Sequence, residues 1–144
     1  MMVREEGSSL HLLSVVSPEW IGASKTIAVK QVPTWFGQVA FTLEQPAPNA
    51  AVLKLDPHFT RPPDSIIVHI PWFISVDSAT TADGKTVEVK DGAISLPATA
   101  TELRLHWSVR LGAPQLSYQH AVDDYKTEYA RRYNELMHGI AAKL

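Results

Sequence analysis

The sequence contains no cysteine, which excludes disulfide bonds, thiolate metal sites and a cysteine nucleophile. It has no apolar run near the roughly 20 residues that a membrane-spanning helix needs, and residues 1–9 lack the apolar stretch of a signal peptide. Charged residues make up only 19% of the chain, and the net charge of −2 gives no electrostatic attraction to nucleic acid or to an anionic membrane. We therefore expect neither nucleic acid nor a membrane as a partner.

Motifs of catalysis are missing as well. There is no Gly-x-Ser-x-Gly nucleophile elbow, no phosphate-binding loop and no dinucleotide fingerprint. The six histidines lack the short spacings of a metal site, and the sequence does not reveal whether the strands carrying His11, His69 and His106 are adjacent. Glu5-Glu6, Asp56, Asp83 and Asp91 fall in predicted turns, and Asp123-Asp124 falls in the first turns of a helix. No pair of carboxylates can be nominated for glycoside hydrolysis. We expect no catalytic residue, no metal and no cofactor in this chain.

The pattern through residue 109 is typical of short β-strands. Apolar and β-branched residues alternate with polar ones, between breaks at Pro, Gly and Asp. The two pairs Asp83-Gly84 and Asp91-Gly92 predict tight turns on either side of a strand at residues 86–89. The clearest strand covers residues 101–109, where four apolar side chains share one face: Leu103, Leu105, Trp107 and Val109. We predict a mainly β fold, an antiparallel, jelly-roll-like β-sandwich of nine or ten strands over residues 1–112, starting with a hairpin around a five-residue loop at 5–9.

The apolar spacing changes to the three-and-four pattern of a helix after Pro114. One stripe is formed by Tyr118, Val122, Tyr125, Tyr129, Tyr133, Leu136 and Ile140. Ser117 is a suitable N-cap for this segment. The sequence predicts one C-terminal amphipathic α-helix in an extension at residues 113–144, packed on the sandwich through its tyrosines. Two alternatives are that this stripe docks on a missing neighbouring domain and that the helix itself serves as a functional binding element.

Two aromatic doublets are the candidate functional residues of the sandwich. They are Trp35-Phe36 and Trp72-Phe73. If both lie in strands, one ring of each doublet leaves the core, because neighbouring side chains point to opposite faces. An exposed ring can stack on a sugar or seal a contact with another domain. Alternatively, Pro33 and Pro71 bend the chain so that both rings of each doublet turn inward.

Several segments of the sandwich carry a family resemblance. Residues 2–13 give an apolar strand, an acidic-glycine turn and a Leu-Leu strand; a Pro-x-Trp turn follows within residues 15–21. Together with residues 32–39 and a hairpin at 76–85, this pattern resembles the junction and C-terminal β-sandwich of bacterial glycoside hydrolases with an (α/α)6 toroid. The resemblance covers residues 2–109. The catalytic acid and base of that family lie on the toroid, so none is carried over to this chain.

The resemblance implies an accessory, structural β-sandwich of a larger glycoside hydrolase-like protein. Its partner would be the catalytic domain of the parent chain, which it buttresses, and its location would be periplasmic or secreted. The alternative function is a carbohydrate-binding module that holds a polysaccharide on an exposed tryptophan. A third hypothesis, an independent enzyme, finds no supporting motif in the sequence.

Overall fold

The structure is a computed structural model that describes residues 1–110 and 118–141. The strands are β1 (Val3–Glu6), β2 (Ser9–Leu12), β3 (Lys25–Thr34), β4 (Gly37–Ala47), β5 (Ala50–Phe59), β6 (Ser65–His69), β7 (Ile74–Thr81), β8 (Ala93–Leu96) and β9 (Glu102–Val109). A short 3₁₀ helix covers Pro18–Trp20, and the α-helix α1 covers Tyr118–Ala141. The chain divides into two compact units, Met1–Ala113 and Pro114–Leu144. The predicted mainly β sandwich with a C-terminal helix is confirmed.

The nine strands form two sheets. One has the order β1-β2-β6-β8 and the other the order β3-β4-β5-β9-β7. Every described strand pair is antiparallel except β2 with β6, where Leu10 lies beside Ile66 in parallel register. Parallel neighbours need a long crossover, and the chain makes it through β3, β4 and β5 of the other sheet. The predicted antiparallel sandwich is therefore confirmed, with one parallel pair inside the four-stranded sheet.

The core lies between the inner faces of the two sheets. Alternate residues of the central strands are buried, including Phe41 of β4 and Leu53 of β5, and each such side chain contributes about 1.5–3 kcal/mol through removal from water. In β9 the predicted alternation holds through Trp107, which is buried and donates its indole N–H to the carbonyl oxygen of Pro48. Val109, expected on the same buried face, is exposed at the end of β9, three residues past the last β9–β5 pair of His106 with Ala50.

One turn and one strand differ from the sequence prediction. The first hairpin has a two-residue turn rather than a five-residue loop, because pairing continues to Glu6 beside Ser9. The segment 86–89 forms only an isolated bridge from Thr86 to Thr80, whereas β7 and β8, on either side of it, are the regular strands. Asp91-Gly92 does form a tight turn, with positive φ at both residues, as a primed hairpin turn requires.

The long edge strand β3 is poorly suited to pairing with another strand. Lys25 and Lys30 are exposed along it, Gln31 lies at a bulge with φ of 50°, and Pro33 follows. Charges, bulges and prolines at an edge all oppose the addition of a further strand. Association by addition of a further strand along this edge is therefore disfavoured.

The helix unit shows the tyrosine stripe in part. The rings of Tyr125, Tyr129 and Tyr133 stack in succession, with centroids 6.4 and 6.5 Å apart. Arg131 forms ion pairs with Glu128 and Glu135 at three- and four-residue spacings, which support a helix. Ser117, and the side chains at both ends of the stripe, lie outside the described residues. The packing of this helix on the sandwich stays a prediction.

Gln45 is the buried polar side chain that fixes the segment before β3. Its Oε1 accepts the N–H of Gly22 at 2.8 Å, and its Nε2 donates to the carbonyl oxygen of Trp20 at 2.9 Å. Replacing Gln45 with leucine leaves both backbone groups without this partner, so we expect a loss of about 2 kcal/mol in the free energy of unfolding. Urea unfolding measures it. The control is Gln38→Leu at an exposed position of the same strand, expected within about 0.5 kcal/mol of wild type; equal losses in both variants would contradict the role of Gln45.

Candidate functional site

The two aromatic doublets divide between surface and core. Trp35 is 70% exposed and Trp72 52% exposed, whereas Phe36 and Phe73 are 5% and 3% exposed. One ring of each doublet therefore leaves the core, although both doublets lie in turns rather than in strands. The alternative in which both rings turn inward is wrong. The two tryptophans are the rings available to a ligand or a partner.

Trp35 lies in the two-residue turn between β3 and β4. Its backbone N–H donates to Oε1 of Glu5 at 2.5 Å, and the guanidinium of Arg61 lies 5.1 Å from its ring centroid. The carbonyl oxygen of Phe36 accepts the N–H groups of Thr60 and Arg61. These contacts place Trp35 beside the β1–β2 turn and the β5–β6 loop, with one cation already against its ring.

Trp72 lies in the turn before β7 and forms one wall of a cleft of about 590 Å³. Its ring meets the ring of Phe73 edge-on, at 5.6 Å between centroids and an interplanar angle of 87°. Because Phe73 is buried, this contact holds the exposed ring against a fixed support. The polar side chains of the cleft are those of His69, Ser75, Asp91 and Arg110.

The two tryptophans lie at opposite ends of the sandwich. Strand β4 begins at Gly37, beside Phe59, and ends at Ala47, beside Ala50. The Trp35 turn precedes the first of these ends, whereas Trp72 lies near the second, where Ile74 of β7 pairs with Val109. Eleven residues of strand separate the ends, a distance of roughly 35 Å at about 3.3 Å per residue. Trp35 and Trp72 therefore cannot form one binding platform.

The end that holds Trp72 also carries most of the exposed large apolar side chains. We call it the chain-entry end, because β1 begins there and β9 ends there. In the part of the sandwich that the structure describes, six of these side chains lie at or next to this end: Met1, Val15, Trp20, Trp72, Val89 and Val109. Trp35 is the remaining one. Exposed apolar side chains at one end of a domain favour that end as an interaction surface, and here they span its width, from Trp20 beside β3 to Trp72 before β7.

Trp20 belongs to this surface through the 3₁₀ helix. Gln45 holds the carbonyl oxygen of Trp20, and the half-exposed ring lines a groove of about 460 Å³ together with Met2, Ile27 and Val29. Sequence reasoning did not select Trp20 as a site residue. The available signal was a tryptophan in a proline-containing turn, where no strand or helix period directs its ring to the core.

His11 and His69 meet on the outer face of the four-stranded sheet. Their ring centroids lie 5.1 Å apart with an interplanar angle of 26°, and Nδ1 of His11 lies 2.9 Å from Nε2 of His69, so the rings meet edge to edge. Nη2 of Arg4 is 3.3 Å from the same Nδ1, while Oε2 of Glu6 is 3.8 Å from Nε2 of His11. His106 lies on the other sheet. We call Arg4, Glu6, His11 and His69 the histidine cluster.

The histidine cluster disfavours protonation of its imidazoles. Burial lowers the pKa of His11, and the positive charge of Arg4 lowers it further. Burial also lowers the pKa of His69, with His11 and Arg4 adding to the effect. Glu6 opposes the shift in both cases. Both side chains are thus held in the neutral form below the pH at which a free histidine titrates.

This cluster predicts a pH-dependent stability. The pKa values of His11 and His69 in the folded chain lie below the 6.5 of the reference side chain, so the unfolded chain takes up protons first as the pH falls. The free energy of unfolding is then highest above about pH 7, decreases as the pH falls through 6.5, and levels off below the folded pKa values. Urea unfolding at several pH values measures this slope, and the double variant His11→Gln/His69→Gln is expected to flatten it. An unchanged slope in that variant would contradict the account.

The remaining ionisable groups give no evidence of a metal site. Among the residues that the structure describes, no three histidine or acidic side chains lie close enough to hold a metal ion. Several carboxylates form ion pairs along the surface, such as Glu44 with Lys54 at 2.8 Å and Glu102 with Arg104 at 2.6 Å.

No helix within the described ranges is long and apolar enough to cross a membrane.

In comparisons with known proteins, no family model, curated protein or solved structure matches this chain. The resemblance to the C-terminal sandwiches of glycoside hydrolases therefore rests on its sequence motifs. Its functional implications stay proposals.

Proposed function

We propose that this protein is a non-catalytic accessory β-sandwich, which docks on a catalytic domain of a larger glycoside hydrolase-like protein through its chain-entry end. The observation that carries the proposal is the concentration of exposed Trp20, Trp72, Val15 and Val109 at that end. Large apolar side chains gathered in one region are typical of a surface that another protein covers.

The course of the chain favours a partner in the same polypeptide. Strand β1 begins at the chain-entry end, so a catalytic domain joined ahead of this strand would lie nearest to this surface. A short tether gives a high effective concentration, and a modest apolar contact is then enough to hold two domains together. The motif resemblance indicates that this partner is a catalytic domain, since in that family the sandwich follows a catalytic toroid.

A binding experiment tests the docking proposal. The reading frame upstream of Met1 is sequenced, and the catalytic domain it encodes is purified and titrated with the full chain by calorimetry. We expect the double variant Trp20→Ser/Trp72→Ser to bind at least tenfold more weakly, because aromatic anchors dominate protein interfaces. The matched control is Trp35→Ser, an exposed tryptophan at the opposite end, which is expected to bind like wild type. An upstream frame without a catalytic domain, or equal losses in both variants, would overturn the proposal.

A carbohydrate-binding module is the second candidate, and the Trp72 cleft is the observation that favours it. An exposed ring on a buried support lies beside Asp91 and Arg110, which can accept from and donate to sugar hydroxyls. Calorimetry against a panel of polysaccharides tests this candidate. Binding that disappears in Trp72→Ala and persists in Trp35→Ala supports it, whereas no heat at millimolar sugar excludes it. The docking proposal is favoured because six of the seven exposed large apolar side chains in the described part of the sandwich lie at or next to this end.

A further inference from the structure

The proton positions in the histidine cluster follow from its contacts. A guanidinium group can only donate hydrogen bonds, so Nδ1 of His11, facing Nη2 of Arg4 at 3.3 Å, acts as the acceptor. The hydrogen of the neutral His11 ring is then on Nε2, toward Glu6. Nε2 of His69, 2.9 Å from the same Nδ1, must be the donor of the imidazole–imidazole bond. The lone pair on Nδ1 of His11 thus accepts two hydrogen bonds, one from Arg4 of β1 and one from His69 of β6.

A proton on His11 cannot be added without the loss of both bonds. Protonated Nδ1 becomes a donor that faces two other donors, Arg4 and His69. The positive charge of His11 would also lie directly beside the guanidinium group. A proton on Nδ1 of His69 leaves its Nε2–H donor in place, so the proton on His11 is the decisive one.

We propose that His11 and His69 form a pH-operated latch, which ties β1 and β6 to β2 at neutral pH and opens in mild acid. In the open state Arg4 keeps its contacts with Glu6 and Ser14, and the His69 ring is released from β2. Because His69 also lines the Trp72 cleft, opening changes one wall of that cleft. The latch depends on these contacts alone and stands whether or not the chain-entry end docks on a catalytic domain.

The charged surroundings do not replace the lost bonds. Glu6 lies on the Nε2 side of His11, away from Nδ1. On the far side of His69, the cleft holds one acidic and one basic side chain, Asp91 and Arg110. A second pocket, next to the cluster, is lined by Ile67 and Ala93. It also contains one acidic and one basic side chain, Glu88 and Lys90. Among the described groups of the cluster, only the Nδ1 lone pair of His11 can accept hydrogen bonds from both Arg4 and His69.

Nuclear magnetic resonance of the full chain tests the latch. Imidazole 15N correlations identify the tautomer of each histidine at about pH 8, and a titration to about pH 5 follows His11, the Arg4 amide and the Trp72 indole. We expect His11 as the Nε2–H tautomer, a His11 midpoint below that of free histidine, and movement of the Arg4 and Trp72 signals with that same midpoint. An Nδ1–H tautomer on His11, or Arg4 and Trp72 signals that do not follow it, would overturn the latch.

Variants separate the latch from a general effect of acid. In His69→Ala one donor to His11 is removed, so the His11 midpoint is expected to rise toward that of free histidine. The matched control, His106→Ala, changes an exposed histidine on the other sheet and is expected to leave the His11 midpoint unchanged. Equal His11 midpoints in wild type and His69→Ala would also overturn the proposal. Should His69→Ala fail to fold, the wild-type titration decides the question by itself.

Discussion

Replacement of Gly37 by alanine is expected to remove about 4 kcal/mol or more from the free energy of unfolding. Gly37 has φ of +130°, where side chains are strained, and an added Cβ would lie 2.3 Å from the carbonyl oxygen of His58. The next neighbours, the Thr60 nitrogen and Phe59 Cα, lie at 2.8 and 2.9 Å and are also backbone atoms. The backbone of two paired strands must therefore shift, an effect in the upper range for single substitutions.

Urea unfolding followed by circular dichroism measures the Gly37→Ala loss. The control is Gly7→Ala, since Gly7 also has a positive φ, +57°, but an added Cβ there meets nothing within 4 Å. Backbone strain alone is expected to cost about 1–2 kcal/mol at Gly7. A Gly37→Ala variant that shows no cooperative unfolding transition would also agree with this prediction, because the chain would then be unfolded without urea. A loss no greater than that of Gly7→Ala would show that β4 and β5 do not approach as closely as the structure has them.

The phenylalanines of the two doublets are expected to matter far more for stability than the tryptophans beside them. Phe36 and Phe73 are buried, so replacement of either by alanine leaves a cavity and costs about 3–5 kcal/mol. Trp35 and Trp72 are exposed, and their replacement by alanine is expected to cost about 1 kcal/mol or less. The larger side chain is thus predicted to be the less important one for folding.

Each doublet carries its own control, because the compared residues are adjacent in the same turn. Thermal or urea unfolding of the four single variants measures the difference. Phe73→Ala should in addition loosen the Trp72 ring, which loses its edge-on support, and a change in Trp72 fluorescence would report this. Comparable losses for Trp72→Ala and Phe73→Ala would mean that both rings belong to the core.

The sequence predicted those parts of the fold that have a regular side-chain period. In β9 the alternation of Leu103, Leu105 and Trp107 identified both the strand and its buried face. Strand β7 was harder to recognise, because a bulge between Val76 and Ser78 shifts the period in the middle of the strand. Its Ser- and Thr-rich composition also lacks the apolar alternation of a half-buried strand.

The candidate sites depend on contacts that a local pattern does not contain. His11 and His69 are 58 positions apart and meet through the parallel β2–β6 pair, which no turn signal specifies. The doublets could be selected as aromatic pairs, but their placement at opposite ends follows from strand order and register. The apolar chain-entry end likewise brings Val15 and Trp20 of the β2–β3 connection to the same end as Val109, the last residue of β9.

The most direct test of the docking proposal is a footprint of the sandwich with and without the catalytic domain that this proposal places upstream. Hydroxyl-radical labelling read by mass spectrometry reports the accessibility of each tryptophan ring. The docking proposal predicts that Trp20 and Trp72 become protected in the presence of that domain while Trp35 stays as reactive as in the free chain. Protection of Trp35 with Trp20 and Trp72 unchanged, or no protection at any of the three, would contradict it.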